Sequence, residues 1–288
     1  MIYKYRKLLA TLDILNIRSL FLKSYRERKI RQKYHYVHNN IQKKELLKSE
    51  AKVCSQNGED GVLQYIFSKI GVTSKRFIEF GAGGASSNTE LLLKSFGWYG
   101  LMIDGDDNQL LELNKRLRRE KVHTERLKLV KSWITVDNIN SIFSEADFTG
   151  EIDLLSIDID GNDYWIWQTI EVVKPRLVVI EYNASFGQNE SVAVKYSPNF
   201  DRFSCESNGY IHGASLQALS KLAKKKGYSL IYCDHTGTNA FFLKSDLLNF
   251  FQEELPQNVF ESHKRRDLIH TQSEQTKIAL DWRYLEKI

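Results

Sequence analysis

Phe77-Ile78-Glu79-Phe80-Gly81-Ala82-Gly83-Gly84 is an apolar run with one acid inside it that opens into a glycine-rich turn. Three large apolar residues in four positions fit a strand buried on both faces. Gly81, Gly83 and Gly84 supply backbone that accepts positive φ and lets a ligand approach closely. In an open parallel sheet, ligands bind beyond the carboxyl ends of the strands, where this turn falls.

Outward from this stretch, helix-like and strand-like patterns alternate. Helices are expected over residues 61–70, 89–96, 107–120, 138–146, 164–172 and 215–226. Strands are expected over 76–80, 100–104, 126–131, 152–158, 176–181, 229–233 and 240–244, the last two joined as a hairpin through residues 235–239. The alternation predicts an α/β fold: a doubly wound, mostly parallel seven-stranded sheet, Rossmann-like, with an antiparallel last strand. Three regions are expected: a basic N-terminal segment (1–50), the main domain (51–245) and a charged, helical C-terminal extension (246–288) with Trp282 and Tyr284 as docking anchors.

The chain has 288 residues and a net charge of +5. Residues 1–50 hold 13 Lys/Arg against 4 acids, so the remainder is slightly acidic. Ile2, Tyr5, Leu8, Leu9, Leu12 and Leu15 recur at near-helical spacing among these basic residues. This suits an amphipathic helix packed on its own domain or a sister subunit, as in a homo-oligomer, or lying on an anionic membrane surface. No nucleic-acid reader motif follows it. No apolar run reaches membrane-spanning length and no secretory signal pattern opens the chain, so the expected location is the cytoplasm or the inner face of its membrane. Cys54, Cys205 and Cys233 show neither disulfide nor zinc spacing.

Asp104 ends the strand after the glycine turn, where a carboxylate can accept from both hydroxyls of a ribose. Ser86 stands where the dinucleotide fingerprint requires its third glycine. Glu79 would repel a pyrophosphate and suits the ammonium of a methionine moiety, so the site favours S-adenosylmethionine, with Gln56 and Glu59 on a polar lip over it. The later strands end in Asp158-Ile159-Asp160 and Glu181-Tyr182-Asn183. Asp158, Glu181 and Asn183 are candidate ligands for Mg²⁺ or Mn²⁺, and Asp158 and His212 are candidate proton acceptors. Asp-Ile-Asp also matches the Asp-x-Asp of metal-dependent glycosyltransferases using nucleotide sugars. A non-catalytic scaffold bound to the membrane through residues 1–50 is a third reading.

The ordered combination of Ser55-Gln56-Asn57-Gly58-Glu59-Asp60, Phe77-Ile78-Glu79-Phe80-Gly81, Gly100-Leu101-Met102-Ile103-Asp104, Ile157-Asp158-Ile159-Asp160-Gly161 and Ile180-Glu181 resembles the FkbM-type methyltransferases over roughly residues 52–245. The resemblance implies an S-adenosylmethionine-dependent O-methyltransferase acting on a small-molecule or glycan acceptor, such as a sugar of a surface polysaccharide or glycosylated metabolite. It implies Gly81 and Gly83 against the cofactor, Asp104 on its ribose, and Asp158 where donor and acceptor meet. Glu79 stands where many relatives have Asp, and Asp160 where many have Glu. Glu181-Tyr182 replaces the adjacent acidic pair of some metal-using relatives.

Overall fold

A computed structural model describes residues 41–82 and 86–288. The amphipathic pattern of residues 2–22 lies outside them. The chain divides into a unit over Met1–Glu45 and a unit over Leu46–Ile288. Of the first, residues 41–45 are described and are helical.

In the second unit each helix and strand expected between residues 61 and 244 is present, with ends moved by no more than three residues. In chain order these are α1 (Glu59–Ile70), β1 (Arg76–Phe80), α2 (Glu90–Phe96), β2 (Tyr99–Asp104), α3 (Asp107–Arg119), β3 (Leu127–Lys131), α4 (Ile139–Glu145), β4 (Gly150–Ile157), α5 (Asp163–Thr169), β5 (Val173–Glu181), β6 (Val192–Val194), α6 (Leu216–Lys226), β7 (Tyr228–Cys233) and β8 (Asn239–Lys244). The seven-stranded sheet has the order β3-β2-β1-β4-β5-β8-β7. β1 through β5 pair in parallel, and β8 runs antiparallel between β5 and β7. This is a doubly wound, mostly parallel sheet with an antiparallel last strand.

Its centre is dry on both faces, which explains why β4 and β5 read as nearly unbroken apolar runs. Ile78, Leu155, Val178 and Phe242 face a core completed by Phe143 of α4, Trp167 of α5 and Leu219 of α6. Phe77, Leu154, Val179 and Phe241 face the opposite core with Leu63 and Ile66 of α1, Leu93 of α2 and Leu117 of α3. Asp153, fully buried in β4, anchors the amino edge. It accepts the amides of Thr73, Ser74 and Lys75 and an ion pair from Arg176 at 2.8 Å. Burial alone would raise its pKa, but Arg176 and the three amides outweigh that and hold it below the usual value.

The C-terminal extension is less helical than its composition suggests. It contains α7 (Pro256–Val259), α8 (Gln272–Ala279) and β9 (Leu285–Lys287), which pairs antiparallel with β6. Ala279 and Leu285 bury against Phe186, Val192 and Ile211, joined by the partly buried Tyr284. Trp282 is exposed rather than docked, with Lys287 over its ring. Among the described residues no helix is long and apolar enough to cross a membrane.

Candidate functional site

The carboxyl ends of β1, β2 and β4 meet around a cavity of about 480 Å³ whose walls include Gly81, Asp104, Trp133, Asp158, Gly161 and Arg202. Gly81 is the tightest point: its φ is +65°, and a Cβ there would stand 2.0 Å from the carbonyl oxygen of Asp158. Only glycine lets the ends of β1 and β4 come so close. Asp104 ends β2 and accepts the amide of Asp106 at 2.8 Å. Gly83 lies outside the described residues.

The side chains expected to form the cofactor's polar lip are turned elsewhere. Neither Glu79 nor Gln56 borders the cavity. Glu79 is buried and accepts from the hydroxyls of Ser87 and Thr89 and, at 2.8 Å, from the amide of Asn88. Burial pushes its pKa up, and those three donors pull against it. A buried carboxylate takes the nearest donors, so Glu79 organises the 87–89 segment instead of waiting for an ammonium. Gln56, with its amide oriented to accept, takes both terminal nitrogens of Arg265 at 2.8 and 2.9 Å. Glu59 accepts the amide of Asn57 and the side chain of Asn239.

Residues 200–203 complete the cavity wall. The Trp133 indole donates to the carbonyl of Pro198 at 2.6 Å. Phe200 packs on Gly161, where a Cβ would come within 2.3 Å of its ring. Arg202 forms an ion pair with Asp160 and donates to the carbonyl of Gly209.

Beneath this loop the strand ends concentrate buried carboxyl groups. Asp158, following β4, has its pKa pushed up to about 8 by burial and then by Asp160, Asp163 and Glu79, against the pull of Arg202. Asp163, at the start of α5, accepts the amides of Ile159 and Gly161, both at 2.9 Å. Glu181 is held well above the usual carboxylate range by burial and then by Asp158, Asp160 and Asp163.

Two sequence expectations fail here. His212 is 1% exposed, and burial together with Arg202, Arg266 and His263 drives its pKa well down. Its Nε2 already accepts from Arg266 at 2.8 Å. An imidazole that resists a proton and whose basic nitrogen is occupied is no general base.

Asn183 is no metal ligand. Its amide nitrogen donates to the carbonyls of Tyr210 and His212 at 2.7 and 2.9 Å, and its oxygen accepts from Ser185 and Arg266. Asp160, Glu181 and His212 do bring one ligand-type atom each within 4.8 Å of one another. A guanidinium only donates, so Arg266 assigns the imidazole proton to Nδ1. That removes the lone pair Nδ1 would need, and Arg202 already holds Asp160. The donor set does not fit a divalent cation.

Arg202, Arg266, Trp133 and Phe200 were not singled out by sequence reasoning. Arg266 sits in the basic run His263-Lys264-Arg265-Arg266, which reads as solvated charge, and the 198–210 segment has no periodicity to place it.

No known family model matches the chain, and no curated protein does. Among solved structures it is similar to the N-terminal domain of EvdMO1 with SAH bound (12% identity, TM-score 0.41, covering 66% of this chain and 80% of that one). It is also similar to the methyltransferase domain of bacterial CtHen1 (16%, 0.42, 65% and 98%) and to the METTL16 methyltransferase domain (14%, 0.42, 67% and 70%). These are distant likenesses, and the reading of the site rests on its own geometry.

Proposed function

We propose that the chain is an S-adenosylmethionine-dependent O-methyltransferase acting on a hydroxyl of a sugar or glycan. The observation that carries this reading is the cavity of about 480 Å³ at the sheet's carboxyl edge, walled by Gly81, Asp104, Asp158, Asp160 and residues 200–203. Small-molecule sites occupy roughly 300–1,000 Å³. Gly81, closed to any Cβ, and the carboxylate of Asp104 suit an adenosine-bearing group and would hold it, with Trp133 beside Gly105. When bound, S-adenosylmethionine supplies an electrophilic methyl carbon on a sulfonium.

The chain's own contribution is alignment of donor and acceptor. Phe203 and Trp133, both largely exposed at the cavity, offer faces for a sugar ring. The sugar as acceptor follows the sequence resemblance.

Calorimetry tests the cofactor. Purified protein should bind S-adenosylmethionine and S-adenosylhomocysteine in the micromolar range, and Asp104→Ala should weaken both at least ~10-fold, since a hydrogen bond to a charged group contributes ~1.5–3 kcal/mol. Absence of binding by either ligand sinks the reading. For residues 1–50 an anionic membrane surface is proposed as the alternative to packing on the domain or a sister subunit. Vesicles of anionic phospholipid should float the full chain and not a chain lacking them, and equal partitioning removes that assignment.

A further inference from the structure

A second hollow adjoins the cavity. It measures about 220 Å³, and its walls include Tyr196, Asn199, Phe200, Asp201, Arg283 and Tyr284. Phe200 and Asp201 border the larger cavity as well. Asp201 is exposed, so the strip the two hollows share opens to solvent.

Hydrogen bonds hold this wall in place from both ends. The Lys195 amide donates to the carbonyl of Tyr284 at 2.7 Å, and its Nζ donates to the carbonyls of Trp282 and Arg283 at 3.3 and 3.1 Å. The last turn of the chain is thereby clamped where β6 ends. On the other side the carbonyl of Asp201 accepts the amide and the hydroxyl of Ser204 at 3.1 and 2.7 Å, and the carbonyl of Ser197 accepts from the Asn162 side chain at 2.7 Å.

Hydrogen-bonding capacity of both kinds is left over. Tyr196 Oη accepts the amide of Val136 at 3.3 Å and keeps its own hydrogen to donate. One carboxylate oxygen of Asp201 accepts the amide of Phe203 at 2.9 Å. The other, the Asn199 side chain and Nη1 of Arg283 have no protein partner among the described residues. Charge gives an anion little purchase, because Arg283 pairs with Asp281 and Glu206, and Asp201 offsets Lys195. Tyr196, Phe200 and Tyr284 add apolar surface. Donors and acceptors mixed beside aromatic carbon suit an uncharged polyol, whose hydroxyls do both. The volume falls below the roughly 300–1,000 Å³ of a whole small-molecule site, so the hollow takes one ring of a ligand whose remainder lies elsewhere.

We propose that this hollow is a subsite for the sugar next to the methylated one, which makes the substrate an oligosaccharide or glycan of at least two units. The placing of the methylated unit in the larger cavity rests on the methyltransferase reading; sugar binding in the hollow does not. The glycosidic bond crosses Phe200 and Asp201, the residues common to both.

The first arm of the test needs no turnover. ¹⁵N-labelled protein is titrated with methyl glucopyranoside, galactopyranoside and mannopyranoside and with α- and β-linked disaccharides of the same sugars. A disaccharide should shift the amides of Asn199, Ser204 and Arg283 saturably. Ser204→Trp, which fills the hollow from an exposed position, should abolish the shifts at Asn199 and Arg283.

The second arm measures label transfer from tritiated S-adenosylmethionine. The kcat/KM for that disaccharide should exceed the value for the methyl glycoside of the same sugar by ~10-fold, the return of one or two net hydrogen bonds. The ratio should fall toward parity in Ser204→Trp and in Asn199→Ala. Disaccharides that leave those amides unmoved, or a wild-type ratio near one, overturn the subsite and leave the methyltransferase reading standing. Protein that shows the saturable disaccharide shift but binds neither S-adenosylmethionine nor S-adenosylhomocysteine overturns that reading and keeps the sugar site.

Discussion

Single atoms set the limits of the site. At Gly81 a methyl group would overlap the carbonyl oxygen of Asp158 at 2.0 Å, in a backbone region that side chains rarely adopt. Gly81→Ala should therefore cost about 1–3 kcal/mol by denaturant unfolding and lower cofactor affinity as well. That glycine and Asp104 were legible in the sequence, because backbone freedom and a strand-end carboxylate are local properties. The orientations of Glu79 and Gln56 were not legible. Which donor a buried carboxylate or amide takes depends on segments distant in sequence, and here Gln56 meets Arg265 across 209 positions. His212 misled for the same reason: the arginine that occupies its basic nitrogen lies 54 residues on.

At the scale of elements, the turn before β1, β4 and β5 is tied together by one buried ion pair. Arg176→Met should leave Asp153 as an unpaired charge with no exposure and cost about 3–5 kcal/mol. The sign with pH follows from the depressed pKa of Asp153. Its contribution is present above the unfolded carboxylate value, about 3.9, and is lost as pH falls through the lower folded value. Thermal melts of wild type and Arg176→Met should thus converge in strong acid. Strands β1, β2, β4 and β5 were legible because burial on both faces leaves an apolar run that few other structures tolerate. β6 and β9 were not, since three-residue strands that pair across about 90 positions leave no periodicity to read.

For the whole molecule, the acidic strand ends are a cost to folding that burial imposes. Asp158 holds its proton up to about pH 8 in the folded chain, against about 3.9 when unfolded. A raised folded pKa contributes stability that is full below the unfolded value and declines as pH rises through the folded one. Asp158→Asn should therefore melt several degrees above wild type near pH 8 by calorimetry, a gap that narrows toward pH 4. Equal melting temperatures across that range would place the carboxylate's charge elsewhere.

The insertion of β8 between β5 and β7 also orders events during synthesis. The outer edge of β5 pairs only with β8, so a ribosome must deliver residues 239–244 before that edge is covered. Until then, Leu177 through Ile180 present an apolar row of unpaired backbone, the kind of edge that recruits strands from other chains. A product ending after Lys226 would carry this edge permanently and should collect in inclusion bodies, while the full-length chain stays in the supernatant.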